Sequence, residues 1–240
     1  MISADLPSGR TPRILAIYSF RFDAHLVPAM LSNLEPIVDG FISFDDRQTE
    51  ASVMSHEVPR RLALLHAARE AGAEWVLSVD PDERFETRLR RLMPRLLDGD
   101  ATAYSFAFRE MYTPSRYRVD GVWGSKRQAR LVRIAEGIVT DLPESDYHIP
   151  VSAFIPAARI QRADGNIYHL KMITAARRRA RAALYEGLDP EHRMQAKGYD
   201  YLADETGLKL ERIPLGRGYR PRHVDDGNLW MAELGPTSEG

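Results

Sequence analysis

The chain has 240 residues, 44% of them hydrophobic, enough for one well-packed domain, alone or with a small appendage. A net charge of -1 shows no basic surplus of the kind a duplex nucleic-acid binder carries, so no nucleic-acid partner is expected. Without cysteine, disulfides, thiolate nucleophiles and cysteine metal sites are excluded.

No run approaches the roughly 18 apolar residues of a membrane span, and the start lacks the apolar core of a signal peptide. No integral membrane segment is expected, and a cytoplasmic location is. Only Lys126, Lys171, Lys197 and Lys209 are lysines, so arginine supplies 29 of the 33 basic residues. A GC-rich genome accounts for that bias; the phosphate-binding fork of arginine is the sharper reading.

Residues 1–12 read as a disordered leader. Residues 13–19, an apolar run behind Pro12, predict a buried strand. Leu26, Met30, Leu31 and Leu34 have helical spacing and stop before Pro36, predicting a helix over 23–34. Residues 40–44 predict a second strand with Asp45 and Asp46 at its end. A helix follows from Ser55 or His56, with Val58, Leu62, Leu65 and Ala68 on one stripe and Gly72 at its close. Residues 75–79 predict a third buried strand that runs into Asp80, and a helix is expected near 87–97.

Strand and helix thus alternate three times within about ninety residues, the pattern of a parallel sheet wrapped by helices. Ligands of such sheets bind at the carboxyl ends of the strands. Ser19, Asp45 and Asp80 stand at those ends. The second half is less regular. Strands are expected over 102–108, 129–134 and 167–170, and helices over 174–185 and 190–206, the latter with Asp189 as N-cap and Pro190 in its first turn. Residues 227–240 read as a loose tail. The expected organisation is a single domain over 13–226, with 13–100 as one half and 101–226 as the other.

Asp80-Pro81-Asp82-Glu83 carries the sharpest chemistry. In a turn, two carboxylates so spaced can converge on one cation. Hard oxygen ligands in this number suit Mg²⁺ or Mn²⁺, which bind substrate phosphates to complete their shell. The plain alternative is a surface turn, for which the tetrapeptide is good chemistry. Its place behind the third strand favours the metal.

Residues 57–85, EVPRRLALLHAAREAGAEWVLSVDPDERF, resemble the family 2 glycosyltransferases with the GT-A fold. Residues 14–46 resemble that family's first two strands and intervening helix. RLVRI at 130–134, DYHIP at 146–150 and IYHL at 167–170 resemble its looser acceptor-side motifs. The resemblance implies an α/β, GT-A type nucleotide-diphospho-sugar transferase fold: a mostly parallel central sheet flanked by helices, with C-terminal helices. It implies a nucleotide-binding half over 13–100 and an acceptor half over 101–226. The implied activity is an inverting sugar transfer from a nucleotide-sugar donor to an acceptor sugar or small molecule.

By the same resemblance, Asp45 or Asp46 contacts the donor base or ribose. Arg60 or Arg61 is the basic residue of the third element. Asp80 lies near ribose and metal, Asp82 is the main metal ligand, and His169 completes the metal site or touches the diphosphate. Asp146, or second Glu144, is the catalytic base that takes the acceptor proton. Where many members carry Asn-Glu after the first strand, this chain has Arg21-Phe22-Asp23, so the contact made there differs.

Arg177, Arg178, Arg179 and Arg181 read as a solvated basic face, since consecutive helical residues point in different directions. Lys171 or one of these arginines closing over the diphosphate is the alternative. Trp123, Tyr112 and Tyr117 read as core cover, with stacking on a sugar or acceptor ring as the alternative. Three competing functions remain: a non-catalytic nucleotide- or partner-binding member of the fold, an Asp-x-Asp phosphohydrolase, and a nucleotidyltransferase. The phosphohydrolase would carry its motif on the first strand, and the nucleotidyltransferase would need a glycine-rich loop that residues 19–22 lack.

Overall fold

A computed structural model describes residues 1–20, 23–47, 57–143, 149–193 and 195–222. In chain order the elements are β1 (Ile2–Asp5), β2 (Ile14–Phe20), α1 (Val27–Leu34), β3 (Gly40–Asp45), α2 (Glu57–Glu70), β4 (Trp75–Ser78), β5 (Glu83–Phe85), α3 (Leu89–Leu97), β6 (Ala103–Thr113), β7 (Arg116–Arg118), β8 (Arg127–Arg133), β9 (Ile160–His169), α4 (Ala175–Leu188) and β10 (Leu210–Arg212). All ten strands join one sheet, in the order β1-β3-β2-β4-β8-β6-β7-β10, with β9 against β6 and β5 against β9.

The first half follows its hydrophobic pattern. β2 pairs in parallel with β3 on one side and β4 on the other. Side chains alternate across the sheet. Ile14, Ala16, Tyr18, Trp75 and Leu77 pack with Met30 and Leu34 of α1 and with Leu89, Met93 and Leu97 of α3. Leu15, Ile17 and Val76 face the other way, onto Leu64, Leu65 and Ala68 of α2 and onto Val151 and Phe154. Burial on both faces is why these strands read as unbroken apolar runs.

A mostly parallel sheet is not what forms. Only β2/β3, β2/β4 and β6/β9 are parallel; β1/β3, β4/β8, β5/β9, β6/β7, β6/β8 and β7/β10 are antiparallel. The architecture is α/β with a mixed sheet. Connection length explains the difference. Parallel neighbours need a crossover, which α1 and α2 supply between β2 and β4, whereas a short turn joins β6 to β7 and can only reverse the chain.

Two other expectations are corrected. Residues 1–12 are not a disordered leader throughout, because Ile2–Asp5 pairs antiparallel with β3 and the terminal ammonium donates to the Asp45 carbonyl (3.0 Å). All four β1 side chains are exposed, so this strand is held by its backbone and shows no apolar signature. Gly40 opposite it is needed, since a Cβ there would lie 2.5 Å from the Asp5 carbonyl oxygen. Second, no helix spans 190–206 among the described residues. Asp189 instead ends α4 and ties down the turn behind it, Oδ1 accepting from the Arg193 amide (2.8 Å) and Oδ2 from the Tyr199 hydroxyl (2.8 Å). His192 and Gly198 have positive φ, which a helix cannot accommodate. The tail at 227–240 lies outside the described residues.

Buried Asn33 on α1 fixes the chain next to the site. Its Nδ2 donates to the carbonyls of Phe85 (3.0 Å) and Arg220 (2.7 Å), and its Oδ1 accepts from the Phe85 amide (2.6 Å). Asn33→Ala is expected to destabilise the protein by about 2–4 kcal/mol, because buried backbone groups lose their partners. The midpoint of urea denaturation measures this; an unchanged midpoint would show that β5 does not depend on Asn33.

Candidate functional site

β2, β3 and β4 point the same way, so their carboxyl ends share one edge. A shallow cleft of about 10 Å³, room for about one water, lies at that edge, lined by Ser19, Arg60, Arg61, Ser78 and Asp80 among others. Ser19, Arg60, Arg61 and Asp80, each singled out from sequence, therefore share one pocket. Arg61 donates to Ser78 Oγ (2.8 Å) and to Glu57 (3.0 Å). Arg60 bridges Asp46 and Glu57. Asp45 is turned to its neighbour Arg47 (Nη2–Oδ2 2.6 Å), which lowers its pKa.

The turn after β4 is pinned from below by Arg84. This buried guanidinium donates to the carbonyls of Pro81 (2.7 Å), Glu83 (2.7 Å) and Leu26 (3.1 Å), and burial pulls its pKa down to about 10. Above it, buried Arg130 of β8 ties Asp80 (2.6 Å) to Glu83. Asp80 keeps a carboxylate 38% exposed, whereas Glu83 is fully enclosed. Burial pushes Glu83 up to about 7 against the pull of Arg130.

Strand register then assembles what sequence spacing cannot. Glu83 of β5, His169 of β9 and Glu110 of β6 stand side by side across three neighbouring strands. His169 Nδ1 meets Glu110 Oε2 at 2.6 Å, and Nε2 meets Asp82 Oδ2 at 3.3 Å. Burial opposes a charge on His169, but Glu110 and Asp82 outweigh it and raise its pKa to about 10. Glu110 falls to about 2, burial being outweighed by His169 and Lys126, whose Nζ lies 2.9 Å away. Asp82 is held far below the ordinary carboxylate range by His169, Arg181 and Arg177, despite burial.

The α4 arginines are not a solvated face. Arg177, Arg178 and Arg181 are buried and only Arg179 is exposed. Residues four apart on a helix share a side. Accordingly Arg177 (2.8 Å) and Arg181 (2.7 Å) both reach Asp23, and Arg181 also reaches Asp82 (3.2 Å). Arg178 turns away to lie 3.6 Å over the Tyr112 ring. Thr174 caps the helix by accepting from the Arg177 amide (3.1 Å). Asp23 is what draws these arginines inward. Lys171, in the turn between β9 and α4, sits 4.7 Å from the Tyr185 ring centre. Tyr112 and Tyr117 are core residues, as expected, and Trp123 is half-buried.

Sequence reading put no mark on Glu110, and it marked Arg130 and Asp23 only as parts of the 130–134 and 21–23 segments, without their roles; each role is identified by a partner at least 47 residues away. Glu144 and Asp146 lie outside the described residues.

Among the described residues, no three histidine or carboxylate side chains converge with metal-site geometry. The nearest approach is Asp82 with His169. Adjacent ligands of an octahedral cation, each bound at about 2.1 Å, lie roughly 3 Å apart, close to the 3.3 Å between Oδ2 and Nε2. A carboxylate behind the other imidazole nitrogen, here Glu110, is the usual support of a metal-binding histidine. A cation between Asp82 and His169 would require His169, its pKa raised to about 10, to give up its proton and Arg181 to leave Asp82. Comparison with protein-family models found no match. A search of the curated proteins found none either.

Proposed function

We propose that the chain is a glycosyltransferase of the GT-A type, moving a sugar from a nucleotide-diphosphate donor to an acceptor sugar or small molecule, with Mg²⁺ or Mn²⁺ held by Asp82 and His169 beside Asp80. One observation carries the reading: Asp80 lines the cleft at the carboxyl ends of β2 and β4, and two residues on Asp82 meets His169, which Glu110 backs. The bound cation would neutralise charge on the leaving diphosphate. The protein contributes the rest. Arg177, Arg181 and Lys171 bring positive charge to the same place, and Glu110 fixes the imidazole so that Nε2 faces Asp82. Ser19, Arg60 and Arg61 line the cleft beside which the nucleoside is proposed to sit. Removal of the acceptor proton is assigned to Asp146, or second to Glu144, on the family resemblance.

The test is a thermal-shift panel of nucleoside diphosphates with and without Mn²⁺. At least one is expected to raise the melting temperature when Mn²⁺ is present and to do so less in EDTA. If none stabilises the protein with Mn²⁺, the reading fails. One observation favours a second reading, nucleotide binding without a metal: Arg181 and Arg130 already occupy the Asp82 and Asp80 carboxylates. Equal stabilisation with Mn²⁺ and with EDTA would select it.

A further inference from the structure

A groove of about 550 Å³ shares no residue with the cleft at Asp80. Three segments wall it: the turn from β6 to β7 at 114–115, the end of β10 with its following turn at 212–216, and the stretch 218–222. Hydrogen bonds to the backbone hold these walls. The Ile213 amide donates to the Ser115 carbonyl (3.0 Å), the Thr87 amide to the Gly218 carbonyl (2.9 Å), and Asn33 Nδ2 to the Arg220 carbonyl (2.7 Å). Tyr219, buried against Tyr168 at 5.1 Å between ring centres, closes the inner side. The groove is therefore a fixed feature of the fold, of the size that small ligands occupy.

Its lining is both cationic and apolar. Arg212 and Arg222 line it, and strand register sets Arg116 directly across from Arg212. Like charges so placed repel. Among the described residues, no carboxylate lies within ion-pair distance of any of these three exposed arginines. The adjacent Glu211 does not serve them. Strand alternation turns it to the other face, where it accepts from the Tyr117 hydroxyl (3.0 Å). Pro114, Pro214 and the fully exposed Leu215 add apolar surface beside the guanidinium groups. An anion with an apolar body satisfies both features. The guanidinium fork matches a carboxylate or phosphate two oxygens at a time, and the apolar wall takes the rest of the molecule out of water.

We propose that this groove is a second binding site, independent of the sugar-transfer reading, for a small molecule with a phosphate or carboxylate head and an apolar body. The head pairs with Arg212 and Arg222, and the body lies on Pro114, Pro214 and Leu215.

Isothermal titration of the full chain with phenyl phosphate, benzoate and benzyl alcohol tests it. At least one of the two anions is expected to bind about tenfold tighter than the alcohol, the gain of a hydrogen bond to a charged group. Which anion binds tighter tells phosphate from carboxylate. Arg212→Met and Arg222→Met are each expected to reduce that preference severalfold, and Asp82→Asn to leave it unchanged. Gly218→Leu is the steric test. Gly218 does not have a left-handed backbone, and a Cβ there meets no atom within 4 Å, so a side chain can enter the groove without strain. This variant is expected to abolish anion binding at an unchanged melting temperature, and to keep any Mn²⁺-dependent stabilisation by a nucleoside diphosphate. Should it melt early, the two arginine variants decide.

Equal affinity for the anions and the alcohol, or no binding of any of the three, would overturn the proposal. So would a preference that survives both arginine substitutions, or a folded Gly218→Leu variant that still binds the anion. A folded Gly218→Leu variant that also loses the Mn²⁺-dependent stabilisation would show one shared site and overturn it too. So would anion binding seen only after Asp225→Asn and Asp226→Asn, because the groove would then serve the chain's own acidic residues. If the wild-type chain binds no nucleoside diphosphate, the glycosyltransferase reading fails separately, and the anion preference still decides the groove.

Discussion

Asp82→Asn is expected to lower kcat by about a thousandfold or more with the fold retained, the loss typical of removing a principal charged group from an active site. Asparagine keeps the shape of the side chain but not its charge. Alanine is a poorer test. Asp82 Oδ2 faces both the His169 ring and the Arg181 guanidinium in a buried setting, so truncation would leave a void beside two cations. In the asparagine variant, Glu110 still holds His169 and Asp23 still holds Arg181. Sugar transfer is measured with the donor that the thermal-shift panel selects, and melting temperature monitors the fold. Retained turnover would remove Asp82 from the chemistry and with it the metal assignment.

Arg130→Met is expected to be the most destabilising substitution near the site, costing about 3–5 kcal/mol, as breaking a buried ion pair from one side does. Arg130 is 3% exposed and is the shared counter-ion of Asp80 and of the enclosed Glu83. Methionine fills much of the volume, so the cost measures lost charge pairing more than a cavity. Adding Glu83→Gln to Arg130→Met is expected to recover part of the loss, since the enclosed group no longer carries a charge that needs balancing. Urea denaturation of wild type, both single variants and the double variant closes the cycle. Additive effects would mean that Arg130 and Glu83 act independently.

The parts of the site legible beforehand are those that local pattern determines. β2 and β4 are unbroken apolar runs, α2 carries an apolar stripe closed by Gly72, and the acidic turn follows β4 directly. Ser19, Arg60, Arg61 and Asp80 therefore meet at one cleft as their places on these elements imply. The 190–206 segment shows where local pattern misleads. Asp189 and Pro190 make a good helix start, but the carboxylate is spent on a single turn and on Tyr199.

By itself, then, the sequence determined the strand-helix alternation from β2 to α3 and the position of Asp80 and Asp82 at a strand end. Period and composition are properties of neighbouring residues, and burial follows from them. Only the tertiary structure decided that His169 stands between Asp82 and Glu110, that Arg130 neutralises the turn, and that the α4 arginines point inward to Asp23. It also decided that the second half of the sheet runs mostly antiparallel and that β1 joins the edge. These features depend on strand register and on charges meeting across tens of residues. A charge is buried only where a distant partner repays its desolvation, and neither partner records the other in its own neighbourhood.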